Sequence, residues 1–73
     1  MRLRVFDPLP EKLGFKDKEI KLPKPTRIRN LKELSNIRLE DFFLAINKSR
    51  TATPDSTVDD ADELWILPLV EGG

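Results

Sequence analysis

The chain has 73 residues, with 13 basic and 13 acidic side chains and neither cysteine nor histidine. A chain of this length makes one small domain that buries only about 60% of its unfolded surface, which leaves little room for a deep catalytic cleft. The missing cysteines exclude disulfides and thiolate chemistry, and the missing histidines remove the usual general base and metal ligand, so we expect no enzyme and no bound metal or cofactor.

The first part of the sequence predicts two strands separated by a helical turn. Residues 2–6 alternate between polar and apolar side chains, as one half-buried strand does. Residues 9–14 can form a single helical turn that ends at Gly14, a natural left-handed stop. Residues 18–22 alternate again, and we expect a second strand there.

The next segment predicts the main helix of the fold. Thr26 suits a helix N-cap. Ile28, Leu31 and Leu34 follow at intervals of three and form one apolar stripe, which is typical of a short amphipathic helix. We expect this helix to end near Ser35.

The second half of the sequence predicts a second group of strands. Residues 42–47 form a strongly apolar strand, and residues 48–51 turn into a short edge strand. A loop over residues 53–57 and an acidic turn over residues 59–63 lead to the last strand, residues 64–69. Its continuous apolarity indicates a central strand that is buried on both sides.

This order of elements predicts an α+β fold, a mixed sheet of four to five strands with one main helix packed on one face. We expect a single domain over residues 1–70 and a flexible tail over residues 71–73. If the helix covers one face of the sheet, the other face of the last strand requires a partner.

The charges are unevenly distributed along the chain. Residues 1–38 carry eleven basic and five acidic side chains, and residues 39–73 carry two and eight. Acidic residues interrupt the basic half and no aromatic residues alternate with it, so we do not expect nucleic-acid binding. The sequence contains no run of about 20 apolar residues and no signal-peptide pattern, and we expect a cytoplasmic protein without a membrane span.

The sequence ends on Gly72-Gly73, two residues after the apolar strand. A glycine pair has no side chains and can pass through a narrow slot, so it can present a free carboxylate as a chemical group. A frayed or tag-derived end is the alternative reading.

These features together resemble the MoaD/ThiS family of ubiquitin-like sulfur carriers. Residues 64–73 are similar to that family's hydrophobic last strand with its proline and terminal Gly-Gly, residues 60–64 to its acidic turn, and residues 45–47 to its third-strand motif ending in asparagine. Upstream, the spacing of the following residues fits the small subunit of molybdopterin synthase: Phe6, Leu9, Glu11, Gly14, Glu19, Ile20, Leu22, Pro23, Ile28, Leu31 and Leu34.

Four features depart from the family pattern. Ala61 and Lys48 stand where glycine is usual, and Leu69 replaces a second proline. The segment between residues 34 and 42 is short, as in the thiamine carriers. The resemblance therefore leaves the receiving pathway open.

The resemblance implies a β-grasp fold and a carrier function. A ubiquitin-activating-type adenylyltransferase would use ATP to adenylate Gly73, and a sulfur donor would convert it to a thiocarboxylate. Gly72 would let the tail enter the active sites of that enzyme and of a sulfur-accepting synthase subunit, and the free carrier would be a monomer. A ubiquitin-like modifier of lysines and a β-grasp adaptor with an inert tail remain alternatives.

The alternation of the first and last strands predicts the docking surface. If the first and last strands pair in parallel, Phe6, Trp65 and Leu67 lie together on the sheet face turned away from the helix, with Leu69 beyond them. Large exposed apolar patches usually mark interaction sites. Arg50 at the rim could orient a partner. Alternatively, Trp65 covers the sheet edge as part of the core.

Asn47, at the end of the third strand, has a structural interpretation of its own. Asparagine tolerates left-handed backbone geometry and hydrogen-bonds to nearby backbone, so we expect Asn47 to cap a turn.

Overall fold

The computed structural model describes residues 1–69. These residues contain seven strands and one α-helix. The strands are β1 (Arg2–Val5), β2 (Asp17–Glu19), β3 (Thr26–Arg27), β4 (Phe42–Ile46), β5 (Arg50–Ala52), β6 (Thr57–Val58) and β7 (Glu63–Pro68), and the helix is α1 (Leu9–Leu13). The predicted tail, residues 71–73, lies outside the described residues together with position 70.

Five of the strands form one mixed sheet in the order β2-β1-β7-β4-β5, and β3 pairs with β6 in a second, two-stranded sheet. β1 and β7 are parallel, and β4 lies antiparallel on the other side of β7. The last strand is therefore central. The predicted α+β class and the mixed sheet of up to five strands are confirmed.

The core lies on one face of the five-stranded sheet. β1 and β7 alternate in burial, so that Leu3, Leu64 and Ile66 are fully buried while their neighbours along each strand are at least partly exposed. Leu3 lies opposite Leu64 across the parallel pair, and Val5 lies opposite Ile66. This register brings the buried residues of both strands to the same face.

The prediction of a main helix after Thr26 is wrong. Thr26 lies in β3 and is not an N-cap, and the residues after it form two 3-10 turns, Ile28–Asn30 and Lys32–Leu34, joined by Leu31 in an extended conformation with ψ of 121°. A third 3-10 turn spans Leu39–Asp41, directly before β4.

The predicted apolar stripe is nevertheless correct, since Ile28, Leu31 and Leu34 are all buried. A 3-10 helix has three residues per turn, so residues that are three positions apart lie on one face. The backbone N–H of Ile28 donates to the carbonyl of Ser56, so the first turn is tied to the loop before β6.

The short helix α1 ends where the sequence predicts. Gly14 has φ of 85°, and its N–H donates to the carbonyl of Pro10 over 2.8 Å. The second strand, β2, begins one residue earlier than predicted and is shorter, although Ile20 still exchanges backbone hydrogen bonds with Met1. No helix within residues 1–69 is long and apolar enough to cross a membrane.

Candidate functional site

An aromatic patch lies on the face of the sheet opposite the core, which we call the open face. The patch consists of Phe6, Phe43, Trp65 and Leu67. The rings of Phe6 and Trp65 are 5.3 Å apart between centroids and inclined by 57°, a tilted geometry that aromatic pairs favour. Phe43 lies directly opposite Leu67 across the β4–β7 pair and is 41% exposed.

The patch follows from strand alternation at the centre of the sheet. Trp65 and Leu67 alternate along β7 with the buried Leu64 and Ile66. Phe6 extends β1 by one residue, since its N–H donates to the carbonyl of Ile66 over 3.1 Å. The three residues predicted from alternation are thus brought together.

Phe43 is the fourth member of the patch; the sequence predicts that Phe42 or Phe43 is exposed but does not decide between them. Its neighbours Phe42 and Leu44 pack in or against the core, so Phe43 points to the open face. Alternation along β4 carries this signal, but a strand of consecutive apolar residues does not show which set faces inward.

Trp65 is half-buried and does not belong to the core cluster. Its indole N–H donates to the carboxylate of Glu63. Two cations lie over its ring, with Arg4 Cζ 5.9 Å and Lys48 Nζ 5.8 Å from the centroid. These distances are in the range of cation–π interactions. The alternative interpretation of Trp65 as core does not fit this environment.

Arg50, which was predicted at the rim of the docking surface, does not lie beside the aromatic patch. It is opposite Ile46 in the β4–β5 pair, and directly opposed residues share a face, so Arg50 borders the core face and not the aromatic patch. It is close enough to Asp62 to contribute to lowering the pKa of that carboxyl. The cation that accompanies the patch on this side is Lys48.

The arginines of β1 on the open face are paired with carboxylates of β2. Arg2 Nη1 is 2.7 Å from Asp17 and Nη2 is 3.6 Å from Glu19, and Arg4 Nε is 3.8 Å from Asp17. Each of these side chains is at least one-third exposed, so the pairs add little stability. They do neutralise this side of the open face.

Leu69 follows β7 directly and is 54% exposed. The predicted site residues Gly72 and Gly73 lie outside the described residues. An open pocket of about 560 Å³ adjoins the patch and is lined in part by Arg4, Phe6 and Lys16. Within residues 1–69 no group of three or more carboxylates is arranged to hold a metal ion.

Asn47 fastens the start of β7 to the end of β4. Its φ is 53°, as the left-handed prediction requires. Its backbone N–H donates to the carbonyl of Glu63 over 2.8 Å, and the backbone N–H of Glu63 donates to its Oδ1 over 2.9 Å. Its Nδ2 donates to Asp62 Oδ1 over 2.9 Å. Asn47 therefore has the structural role that the sequence suggests.

The acidic turn before β7 holds two carboxylates whose pKa values are lowered. For Asp62 the main cause is the backbone N–H of Asp59, followed by the Asn47 amide. For Asp60 the main cause is the backbone N–H of Leu22, which donates over 2.9 Å. Both carboxylates organise the turn that leads into the central strand.

The sequence matches no model of a known protein family, and no curated protein matches it at a significant level.

Proposed function

We propose that this chain is a ubiquitin-like sulfur carrier with a β-grasp fold. Gly73 would be adenylated by a partner enzyme and converted to a thiocarboxylate that donates sulfur in molybdopterin, tungstopterin or thiamine biosynthesis. The chain would be a co-substrate and not an enzyme. The observation that carries the proposal is the aromatic patch on the central strand, a short distance before the Gly-Gly end of the sequence.

The topology supports the β-grasp assignment. The first and last strands are parallel neighbours at the centre of a mixed sheet, and the remaining segments cover one face. The 3-10 turns between β3 and β4 occupy the place in the chain where the resemblance implies the main helix. They are the largest departure from the expected fold.

The aromatic patch supports a docking role. Phe6, Phe43, Trp65 and Leu67 are all partly exposed on a chain of only 73 residues. Exposed apolar patches on small proteins usually mark interaction sites, and tryptophan is enriched among the residues that dominate binding. A partner that covers the open face would lie next to the C-terminal end of β7 and to Leu69.

The proposed chemistry is that implied by the resemblance to the sulfur carriers, and the absence of cysteine agrees with it. A carboxylate is a poor electrophile, so the Gly73 carboxylate must first attack the α-phosphate of ATP and release pyrophosphate. A sulfide-level donor then attacks the acyl carbon, AMP leaves, and the sulfur stays on that carbon. Because the chain has no cysteine, it offers no thiol that could carry this sulfur as a persulfide.

Intact-mass measurement tests the proposal. The chain is incubated with the ubiquitin-activating-type adenylyltransferase of its own organism, ATP and sulfide, and a reaction without ATP is the control. Replacement of one oxygen by sulfur supports the carrier. Adducts on lysines of other proteins would indicate a modifier, and an unchanged mass with the adenylyltransferase present would leave an adaptor that only binds.

Substitution of Trp65 tests the docking face. We expect Trp65→Lys to leave the melting temperature nearly unchanged, because the ring is outside the core, and to weaken binding of the adenylyltransferase by about 2–4 kcal/mol, as for a hot spot. Thr57→Lys on β6 adds the same charge to a different sheet and is the control. A large loss of thermal stability in Trp65→Lys would mean that the ring is part of the core.

A further inference from the structure

The position of Lys48 in the turn between β4 and β5 is unfavourable for lysine. Its φ is 68°, and it directly follows Asn47, which is also left-handed. Residues other than glycine and asparagine rarely adopt left-handed backbone angles, because their Cβ approaches the neighbouring carbonyl. Asn47 compensates through its three hydrogen bonds. Within residues 1–69 Lys48 makes no hydrogen bonds like those of Asn47 that would offset its unfavourable backbone angles. The presence of lysine at this position therefore requires another reason.

The ammonium group of Lys48 lies on the aromatic patch. Its Nζ is 5.8 Å from the centroid of Trp65, on the side of β7 that faces β4, while Arg4 approaches the same ring from β1. Arg4 has Asp17 as a partner at 3.8 Å. The Glu63 carboxylate is hydrogen-bonded to the indole N–H of the same ring. Within residues 1–69, however, no carboxylate lies within 4.0 Å of Lys48, so Lys48 is the cation beside the ring that has no direct ion pair.

A partner that covers Trp65 also removes water from this ammonium group. An isolated charge that loses its hydration is costly unless an opposite charge replaces the water. A partner surface with a carboxylate at this point pairs with Lys48, whereas an apolar or basic surface leaves the cation unpaired. Such a penalty against the wrong surface is a common source of specificity.

We propose that Lys48 is a specificity-determining residue of the open face, which selects a partner carrying a carboxylate beside its pocket for Trp65. The inference rests on the proposed function in that the partner is the adenylyltransferase. It adds that the enzyme presents a carboxylate at this point and that Lys48 of this chain pairs with it.

The test compares Lys48→Glu and Lys48→Gly by isothermal titration calorimetry against the adenylyltransferase of the same organism, at low and high salt. Lys48→Gly removes the charge and the unfavourable backbone position together, so we expect a higher melting temperature and weaker binding. Lys48→Glu should weaken binding by about tenfold or more at low salt and by less at high salt. Lys32→Glu, in the second 3-10 turn, makes the same charge change away from the open face and should change binding by less than about twofold.

Restoration of binding identifies the carboxylate directly. Acidic residues of the enzyme are replaced by lysine one at a time, and one replacement should weaken binding of the natural chain and strengthen binding of Lys48→Glu. If the natural chain binds and is adenylated while both Lys48 variants bind equally well, this inference is overturned and the carrier function stands. If the natural chain neither binds nor is adenylated, the inference and the proposed function both fall.

Discussion

Asn47 and Asp62 show how two single residues fix the entry to the central strand. They lie 15 positions apart in the sequence and are joined by a hydrogen bond of 2.9 Å. The left-handed turn at Asn47 was predictable, because asparagine favours it. Its partner was not, because the pairing depends on β4 and β7 being neighbours, which no local pattern records.

Replacing Asn47 should destabilise the fold measurably. Asn47→Ala removes two side-chain hydrogen bonds and places alanine at φ of 53°, so we expect a loss of about 1–3 kcal/mol in urea unfolding. Asn47→Gly removes the same hydrogen bonds but tolerates the backbone, and it should lose less. An alanine variant as stable as the natural chain would show that these bonds contribute nothing.

Asp62 should give the stability a dependence on acid pH. Its pKa is lowered from 3.8 by the Asp59 N–H and the Asn47 amide, so its ionised form stabilises the folded state above that value, and this contribution is lost as pH falls through the lower folded value. In urea unfolding, Asp62→Asn should be less stable than the natural chain between about pH 7 and pH 5. The difference should shrink in more acid solution, and a difference that stays constant down to the lowest pH would contradict this.

At the scale of elements, burial was easier to predict than the type of helix. The buried set Ile28, Leu31 and Leu34 was correct, but the α-helix assigned to it was wrong. Intervals of three fit both a 3-10 turn and an α-helix. The deciding contacts are long-range, since Ile28 and Arg29 donate their N–H groups to the carbonyls of Ser56 and Pro54.

These turns should matter for stability as much as a helix would. Ile28 is fully buried, and Ile28→Ala should destabilise the protein by about 2–5 kcal/mol in urea unfolding, because it leaves a cavity under the sheet. Ile37→Ala, at a partly buried position between two 3-10 turns, is the matched control and should cost clearly less. Equal losses in the two variants would argue that Ile28 is not a central core residue.

For the molecule as a whole, the centre of the sheet should be its most stable part. β7 is hydrogen-bonded on both sides, to β1 and to β4, whereas β3 and β6 form a two-stranded pair. In native-state hydrogen exchange, the amides of Leu64 and Ile66 should exchange only on global unfolding, and that of Arg27 should exchange sooner. Faster exchange in β7 than in β3 would contradict this architecture.

The candidate site was predictable as far as strand alternation reaches. Phe6, Trp65 and Leu67 followed from alternation together with the parallel pairing of the end strands. Lys48 was missed as a member of the site because it reaches Trp65 through a turn of two left-handed residues. Arg50 was placed at the rim, but its register opposite Ile46 turns it toward the other face.

The parallel arrangement of β1 and β7 also determines how the molecule responds to mechanical load. If Met1 and Leu69 are pulled apart, the two strands are drawn in opposite directions along their common axis. Their backbone hydrogen bonds then carry the force in shear and must break together, whereas a hairpin opened from its end breaks them one after another. The parallel pairing that places the aromatic patch near the end of β7 therefore also makes this end of the strand resistant to a pulling force.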